Sequence, residues 1–336
     1  MNIRHASLPL AVALALLAGP AAHAQSSTSS AQIYGTVDAA VGSFKASGGA
    51  RTTQLASGNL TTNYLGYRSR EDLGGGLYAS MTLESYFRGD TGDAGRYAGD
   101  AFFSRAANVG LGGGFGLLRL GRVGTPLFTN TLVYNPLAAS FGFSPVIRNI
   151  FGAAARVAGD SGWNNAVAYN TPTWGGFSGS LMYALAEAAE GANASGALQY
   201  SAGAFSIGVV GQQVKVPFKS GEENTWQLGS SYDFGLLKLF GQYTDVRETQ
   251  TQTTSAGTHD EIAQVGVSVP VGAGAVLASW SESRTSGSAR FDRSFATLGY
   301  DYRLSRRTDL YAMWMVDKLS GNDAASSVAF GVRHAF

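Results

Sequence analysis

Several charged side chains stand at positions of one parity, in segments where apolar and polar residues alternate. Arg68, Arg105, Asp38 and Glu84 each occupy the polar parity of their segment. Because successive residues of an extended strand point to opposite faces, such side chains line one polar surface. Guanidinium and carboxylate groups on one surface attract or repel ions, which is electrostatic rather than covalent chemistry.

Residues suited to covalent catalysis are scarce. The chain has no cysteine, and beyond residue 24 its histidines are His259 and His334 alone. His259 stands in a long polar stretch, and His334 follows the apolar parity of the last segment. A lipase would need a serine beside such a histidine, and no Gly-x-Ser-x-Gly elbow occurs at a predicted strand–helix turn. We therefore predict that the chain is not an enzyme and uses no cofactor and no metal ion.

The composition excludes several classes of protein. A hydrophobic content of 45% excludes a disordered chain, and a formal net charge of +1 argues against a nucleic-acid partner. Only 14% of the 336 residues are charged, whereas soluble domains carry roughly 25%. The chain is therefore poorer in charged residues than a soluble domain, and a large soluble core does not account for its apolar composition.

The N-terminus predicts a cleaved secretory signal peptide over residues 1–24, which leaves residues 25–336 as one domain. A short basic region and an apolar run over residues 8–18 precede a small-x-small cleavage site at residues 22–24. The apolar run is shorter than the ~20 residues that a spanning helix needs. No later uncharged run approaches that length. If the exported chain crosses a membrane, we therefore expect it to cross as β-strands.

Most of the mature sequence alternates with a period of two, in segments separated by Gly, Asn, Asp and Ser. This pattern is typical of an all-β, transmembrane antiparallel β-barrel, although a soluble β-sandwich alternates in the same way. Aromatic residues near segment ends, such as Tyr232 and Tyr300, favour the membrane alternative. Short and long connections alternate, with a long polar loop predicted over residues 46–58 and a strand over 59–70. The count is about sixteen strands.

One predicted connection is much longer than the others. Residues 123–162 show no clear alternation and contain Phe141, Phe143 and Phe151. Connections of this length within a compact domain are usually functional, and wall side chains alone do not fill the lumen of a barrel of about sixteen strands. We therefore predict that this stretch folds into the barrel and narrows its lumen as a constriction loop.

Motifs along the whole chain resemble the Gram-negative general porins, specifically the β-proteobacterial type. They occur in order from end to end: Ile33-Tyr-Gly-Thr-Val-Asp38, Leu65-Gly-Tyr-Arg68, Arg105 before Val109-Gly-Leu111, Leu120-Gly-Arg122, Asn165-Ala-Val-Ala-Tyr169, Leu298-Gly-Tyr-Asp-Tyr302 and Gly331-Val-Arg-His-Ala-Phe336. Each motif is weak alone, but the ordered set is specific.

The resemblance implies a sixteen-stranded barrel in the lipid of the outer membrane, with residues 123–162 as the inward-folded third loop. It also implies a homotrimer and the passive diffusion of ions and small hydrophilic solutes. A C-terminal Phe336 on the apolar face is the pattern that outer-membrane proteins present to the barrel-assembly machinery. We therefore expect export through the periplasm, followed by assembly in the outer membrane.

The family's constriction sets basic side chains of the barrel wall against groups of the third loop. The resemblance assigns wall positions to Arg68, Arg105 and Arg122, and parity adds Glu84 and Asp38 to the lumen face. The direction of Arg122 stays open, because its segment does not alternate cleanly.

Two departures from the family change the expected charge of the constriction. Tyr64 stands where many relatives have an arginine, and the loop contains no Asp or Glu between residues 123 and 159. The loop's charged residues are Arg148, Arg156 and, at its end, Asp160. A basic constriction in a low-dielectric wall concentrates anions and repels cations. We therefore predict a modest preference for anions.

Two other functions remain open from the sequence. A substrate-specific outer-membrane channel would hold its solute at a saturable site, which aromatic residues in register along the lumen would support. A non-conducting barrel that acts as an adhesin or scaffold would have a plugged lumen.

Overall fold

The computed structural model describes residues 29–152, 156–187, 191–215, 221–249 and 257–336. The predicted signal peptide, residues 1–24, lies outside these ranges. None of the helices in them is long and apolar enough to cross a membrane.

In the described part of the chain, seventeen strands form one sheet in which every pairing is antiparallel. The strands are β1 (Ser30–Lys45), β2 (Arg51–Ser57), β3 (Tyr64–Gly74), β4 (Leu77–Tyr86), β5 (Ala106–Gly113), β6 (Gly116–Gly124), β7 (Gly162–Asn170), β8 (Phe177–Ala184), β9 (Asn193–Ala202), β10 (Phe205–Lys215), β11 (Glu222–Asp233), β12 (Lys238–Glu248), β13 (Thr258–Val271), β14 (Gly274–Gly287), β15 (Phe291–Arg303), β16 (Thr308–Leu319) and β17 (Ala325–Ala335). β1 pairs with β17, which closes the sheet into a barrel.

β2 and β3 together form one interrupted barrel strand, because both pair with the same side of β1. β3 pairs with the first half of β1, and β2 pairs with the second half. Residues 58–63 leave the sheet between them. The wall therefore has sixteen strands, as predicted.

The boundaries of this second barrel strand differ from the prediction. Most of the predicted loop over residues 46–58 belongs to β2, and the predicted strand over residues 59–70 begins only at Tyr64. The reason is the sequence Arg51-Thr-Thr-Gln, which is polar at both parities and therefore lacks the alternation that marks a half-buried strand.

The apolar parity of the strands faces outward. Leu298, Val328 and Phe330 are exposed on the outer surface, whereas Thr297 and Ala329 of the opposite parity are buried. A soluble sandwich would bury its apolar face, so this arrangement is that of a barrel surrounded by lipid. The wall continues to the last residue, where Phe336 exchanges two backbone hydrogen bonds with Gly35 at 3.1 and 3.2 Å.

The long connection between β6 and β7 folds into the barrel, as predicted. It contains the helices α1 (Pro126–Val133) and α2 (Pro145–Ile150). Each begins with proline, whose missing N–H is not needed in a first turn. Each is capped by a hydroxyl: Thr125 accepts from the Phe128 N–H at 3.1 Å, and Ser144 accepts from the Ile147 N–H at 3.4 Å. We call residues 125–161 the constriction loop.

Apolar side chains fix one side of the constriction loop to the inner wall. Leu127, Val146 and Ile150 pack against Val210, Val246 and Ile262, which project inward from β10, β12 and β13. Leu137 and Phe143 pack into a second cluster with Phe295, Met313 and their neighbours. Full burial of one such side chain contributes roughly 1.5–3 kcal/mol relative to exposure. The loop is therefore a packed part of the wall that it covers.

Hydrogen bonds also link the constriction loop to the inner wall. Gln242 Nε2 donates to the Tyr134 carbonyl at 2.7 Å, and Thr297 Oγ1 donates to the Phe143 carbonyl at 2.7 Å. The Tyr134 ring lies so close to β11 that a Cβ at Gly229 would stand 2.3 Å from its Cδ2 atom. Only glycine at position 229 allows this approach.

Candidate functional site

The wall of β3, β4, β5 and β6 lies across the lumen from the strands that hold the constriction loop, and it carries arginines in adjacent rows. The strand register sets Arg70 beside Ser80, and through Gly110 this row reaches Arg119. Arg68 stands in the next row, on the same face of β3. Cross-strand neighbours in register point to one face. The three arginines therefore line one interior surface, which we call the basic wall.

Aromatic rings hold Arg68 and Arg70 of the basic wall in place. Arg68 donates to Gln32 Oε1 from Nε and Nη2 at 3.1 and 2.7 Å, and its guanidinium lies 4.8 Å from the centroid of the Tyr34 ring. The Arg70 guanidinium lies 3.5 Å from the Tyr78 ring centroid. Stacking of this kind orients a guanidinium without neutralising its charge. Arg68 therefore lies on the lumen face where parity placed it.

Arg105 lies just before β5, whose register pairs the inward-facing Ala106 with Glu84, so the parity predicted for Arg105 is wrong although its side chain turns toward the same carboxylate. Its Nη1 atom lies 3.2 Å from Glu84 Oε2, and its guanidinium lies 4.0 Å from the Tyr64 ring centroid. Glu84 also accepts a hydrogen bond from the Tyr34 hydroxyl. The Tyr64 ring thus supports the Arg105 side chain.

Two basic-wall residues were missed by the sequence analysis. Arg70 has the parity of Arg68 two residues earlier, and Arg119 lies between the outward-facing Leu118 and Leu120. The same alternation that selected Arg68 would have selected Arg70, whereas Arg119 lies in the segment of Arg122, which does not alternate cleanly. Arg119 donates from Nη2 to an amide oxygen, Oδ1 of Asn170, at 2.7 Å.

Most of the positive charge of the basic wall is not neutralised by neighbours. Among the residues that the structure describes, Arg68, Arg70 and Arg119 form no ion pair, because the groups that they contact are neutral. Two acidic residues share this face: Glu84 pairs with Arg105, and Asp72, two residues after Arg70 on β3, accepts a hydrogen bond from the Gly74 N–H at 2.8 Å. The wall therefore presents net positive charge to the lumen.

Arg122 binds the end of the constriction loop. Its Nη2 atom lies 2.8 Å from Asp160 Oδ2, its Nη1 donates to Asn164 Oδ1 at 2.8 Å, and its Nε donates to the Ser104 carbonyl. A register shift between Gly121 and Val123 interrupts the regular pairing of β6 with β7 at Arg122, which explains why alternation could not define the direction of its side chain. The positive charge of Arg122 is therefore paired with the carboxylate of Asp160.

Asp160 also pairs with Arg96 of the long connection between β4 and β5, at 3.0 Å, and Arg96 in turn pairs with Asp100 at 2.9 Å. Burial alone would raise the pKa of both carboxyls, but hydrogen bonds from Arg96 and its charge outweigh this effect. The pKa of Asp100 falls to about 2, and the pKa of Asp160 falls below its usual value. The carboxylates are therefore charged near neutral pH.

The constriction loop turns the free face of α1 toward the basic wall. Leu127, Asn130 and Thr131 are buried against the strands. The other face is half-buried or exposed and forms one helical stripe, which we call the loop stripe: Phe128, Thr129, Leu132 and Val133. No member of the stripe carries a charge.

Two interior cavities separate the loop stripe from the wall. A cavity of about 270 Å³ is bordered by Glu84, Arg105, Phe128 and Leu132, and Arg122 also lines it. A second cavity, of about 160 Å³, lies between Arg119 and Val133. The lumen thus narrows between a basic surface and an uncharged, largely apolar one.

The two loop arginines are engaged within the loop and the wall that holds it. Arg148 Nη1 donates to the Gly142 carbonyl at 3.2 Å, and its guanidinium lies 4.9 Å from the Phe295 ring centroid. Arg156 pairs with Asp260 at 3.2 Å. Burial lowers the pKa of both guanidinium groups. Both side chains serve local structure in addition to any effect on passing ions.

Asp38 does not line the open lumen, which corrects the prediction made from parity. Its side chain points inward, but the residue is fully buried because residues 58–63 cover it. The carboxylate accepts hydrogen bonds from the N–H groups of Leu60 and Thr61 at 2.9 and 2.8 Å, and from the Tyr311 hydroxyl at 2.6 Å. Asp38 therefore holds the interruption between β2 and β3 in place.

The described residues contain one group that could hold a metal ion, formed by Asp245, His259 and Glu261. His259 Nε2 already contacts Asp245 Oδ2 at 2.7 Å, and Tyr243 donates to Glu261 at 2.7 Å. The group stands on the parity of the exposed Trp226, on the outer face of the barrel. The prediction of a protein without a metal ion or cofactor stays a prediction.

A closed sixteen-stranded barrel with an inward-folded loop and an apolar exterior defines a porin. The model of the Gram-negative porin family matches residues 10–322. The chain therefore belongs to this family, and the prediction made from its motifs is confirmed. It is a protein of the outer membrane.

Relatives of the chain are named as outer membrane porins. The chain is 30% identical to outer membrane porin protein 32 of Delftia acidovorans, over 97% of this chain and 99% of the relative. It is 28% identical to an outer membrane porin protein of Bordetella pertussis, with the same shares covered. Among solved structures, the anion-selective porin from Comamonas acidovorans superimposes with a TM-score of 0.78 at 28% identity, over 92% of this chain and 100% of that one.

Proposed function

We propose that this outer-membrane channel lets ions and small hydrophilic solutes diffuse passively, with a modest preference for anions. The observation that carries the preference is the unequal pairing of charge at the constriction. Arg68, Arg70 and Arg119 face the lumen with neutral partners, while Glu84 is engaged by Arg105. No covalent step is needed, and the family and the fold support a channel rather than an enzyme.

The physical basis is the field of the basic wall in a narrow, low-dielectric passage. The barrel wall and the loop stripe screen charge poorly compared with bulk water, so unpaired guanidinium groups raise the local concentration of anions. Cations meet the same field as a barrier. Stacking on tyrosine rings keeps the guanidinium groups extended along the wall, so anions can pass without having to displace a carboxylate.

The relatives give this proposal independent support. The structure of similar fold from Comamonas acidovorans is described as an anion-selective porin. We extend this property to the present chain because its own constriction lacks free acidic side chains on the described part of the loop stripe and basic wall.

We further propose that the protein is a homotrimer inserted by the barrel-assembly machinery. A structure of OmpT from Vibrio cholerae is described as a trimer form, but at 15% identity it supports only the fold. Phe336 ends the chain at the closing strand pair with 40% of its surface exposed. A terminal aromatic residue at the seam of the barrel is suited to recognition during insertion.

Recording from planar bilayers under a KCl gradient tests the proposed function. We expect stepwise increases in conductance and a zero-current potential displaced toward the equilibrium potential of chloride. A displacement toward the potassium potential would contradict the anion preference. A folded protein that inserts without conductance would contradict the diffusion function and favour a plugged barrel.

A further inference from the structure

We infer that the constriction selects organic anions that carry an apolar or aromatic body beside a carboxylate, in preference to small anions of equal charge. This inference rests on the proposed function, because it names the class of solute that the same passage favours. It follows from the different chemistry of the two surfaces that face each other across the lumen.

An aromatic cluster lies on the loop side of the passage. The Phe128 ring stacks edge-on against Phe151, with ring centroids 5.2 Å apart, and lies 6.1 Å from the Phe141 ring. All three rings are only half-buried. Phe143, a further phenylalanine of this loop, is fully buried against the wall and has no part in the cluster.

The cluster is fixed by the packing behind it. Phe151 contacts the buried group of Leu127, Val146 and Ile150, and Phe128 follows Leu127 directly in α1. The rings therefore form a preformed apolar surface that does not need to be ordered when a solute arrives. Such preorganisation lowers the entropy cost of each contact.

The opposite surface supplies the groups that a carboxylate requires. Arg119, which forms no ion pair with a described residue, lines the same cavity of about 270 Å³ as Phe128 and Leu132, and it faces Val133 across the neighbouring cavity. Guanidinium groups bind carboxylates with paired, charge-assisted hydrogen bonds. An anion of suitable length can therefore place its carboxylate on the basic wall while its body lies against the phenylalanine rings.

Other solute classes satisfy only one of the two surfaces. A small anion such as acetate gains from the arginines but leaves the rings in contact with water. An aromatic cation gains from the rings but is repelled by the arginines. Only an amphipathic anion gains from both, through charge at one end and removal of apolar surface from water at the other.

The test compares four solutes on the wild-type channel in planar bilayers: acetate, benzoate, cyclohexanecarboxylate and benzylammonium. We expect benzoate and cyclohexanecarboxylate to reduce the chloride current at roughly tenfold lower concentration than acetate, a factor within the range of partial burial of a ring. Benzylammonium should not reduce it at those concentrations. Equal potency of acetate and benzoate, or block by benzylammonium at the same level, would overturn the inference.

A pair of variants assigns the effect to the rings. In the double variant Phe128→Gln with Phe141→Gln, the advantage of benzoate over acetate should disappear. The matched control is Phe102→Gln, in the long connection before β5, where the ring is 62% exposed; it should keep the advantage. An unchanged benzoate advantage in the double variant would contradict the role of the cluster.

The proposed function and the inferred solute class can be contradicted separately. Absence of a chloride preference in KCl contradicts the proposed function itself. A normal chloride preference with equal potency of acetate and benzoate contradicts only the inferred solute class. If the double variant does not fold, the solute series on the wild-type protein still decides the question.

Discussion

The two sides of the barrel interior use polar side chains in opposite ways. On the wall of β9 to β15, Gln227, Gln242 and Thr297 bond to the constriction loop, and apolar residues between them pack against it. On the wall of β3 to β6, Arg68 and Arg119 extend toward the lumen with neutral partners. Both walls carry polar side chains. The constriction loop covers the wall of β9 to β15, whereas the wall of β3 to β6 stays exposed to the lumen.

This difference explains how one loop creates selectivity without contributing a free charge. By covering one wall, the loop shifts the passage toward the other, so that permeating ions meet the basic wall at short range. Electrostatic effects fall with distance and are screened by salt beyond about 8–10 Å. The position of the loop therefore determines how strongly the arginines act.

Detaching the loop from its wall should have the largest effect. Leu127→Asp places a charge at a fully buried site, which costs several kcal/mol unless the loop moves away. We expect single-channel conductance to rise by roughly twofold or more as the passage widens. The control is Val133→Asp, on the same helix at 41% exposure.

Val133→Asp should leave conductance close to that of the wild type and reduce the anion preference, because the new carboxylate faces the lumen. Equal conductance in the two variants would show that the packing behind α1 does not hold the loop.

A milder disturbance of the same contact should have a smaller effect. Gly229→Ala brings a Cβ to 2.3 Å from the Tyr134 ring, so the ring and its carbonyl must shift. We expect noisier single-channel current and a conductance change smaller than that of Leu127→Asp. Gly211→Ala is the matched control, since nothing lies within 4 Å of its Cβ. Identical noise in both alanine variants would refute the role of this close approach.

The basic wall is predictable from sequence to a greater degree than the engaged wall. Alternation identified Arg68 and Glu84 and, applied consistently, would have found Arg70, whereas the uneven pattern around Leu117 and Leu118 hid Arg119. It failed for Asp38, because nothing in the strand pattern indicates that residues 58–63 turn inward and cover it. Which polar groups bond to the loop depends on contacts between residues about 100 positions apart, such as Asn130 and Gln227, and local patterns do not encode them.

Removing the carboxylate that pairs with Arg105 should strengthen the anion preference modestly. Glu84→Gln leaves the Arg105 charge uncompensated, so we expect the chloride-to-potassium permeability ratio to rise by about twofold. The measurement is the zero-current potential in a KCl gradient. Glu261→Gln, a neutralisation on the outer face, should leave the ratio unchanged. A fall in the ratio for Glu84→Gln would mean that Arg105 requires its partner to remain in place.

The smallest expected effect concerns the pairing of Arg96 with Asp100 beside the end of the loop. The pKa of Asp100 is lowered to about 2, so its contribution to stability is full above the unfolded value of about 4 and is lost as pH falls through about 2. Asp100→Asn should lower the unfolding temperature at pH 7 by about 1–3 °C. The difference from the wild type should persist to about pH 4 and vanish near pH 2.

Thermal unfolding of the detergent-solubilised protein followed by circular dichroism gives this comparison. Asp93→Asn, in the more exposed pair with Arg88, is the control and should have a smaller effect at pH 7. A difference between Asp100→Asn and the wild type that disappears already at pH 6 would contradict the lowered pKa.

Selection of anions by the basic wall is tested by comparing two charge-matched double variants in a KCl gradient. Arg68→Gln with Arg119→Gln removes two charges from the free wall, and Arg148→Gln with Arg156→Gln removes two charges from the engaged loop. We expect the first pair to lose most of the chloride preference in the zero-current potential and the second pair to keep most of it. The reverse order, or equal losses, would contradict selection by the basic wall.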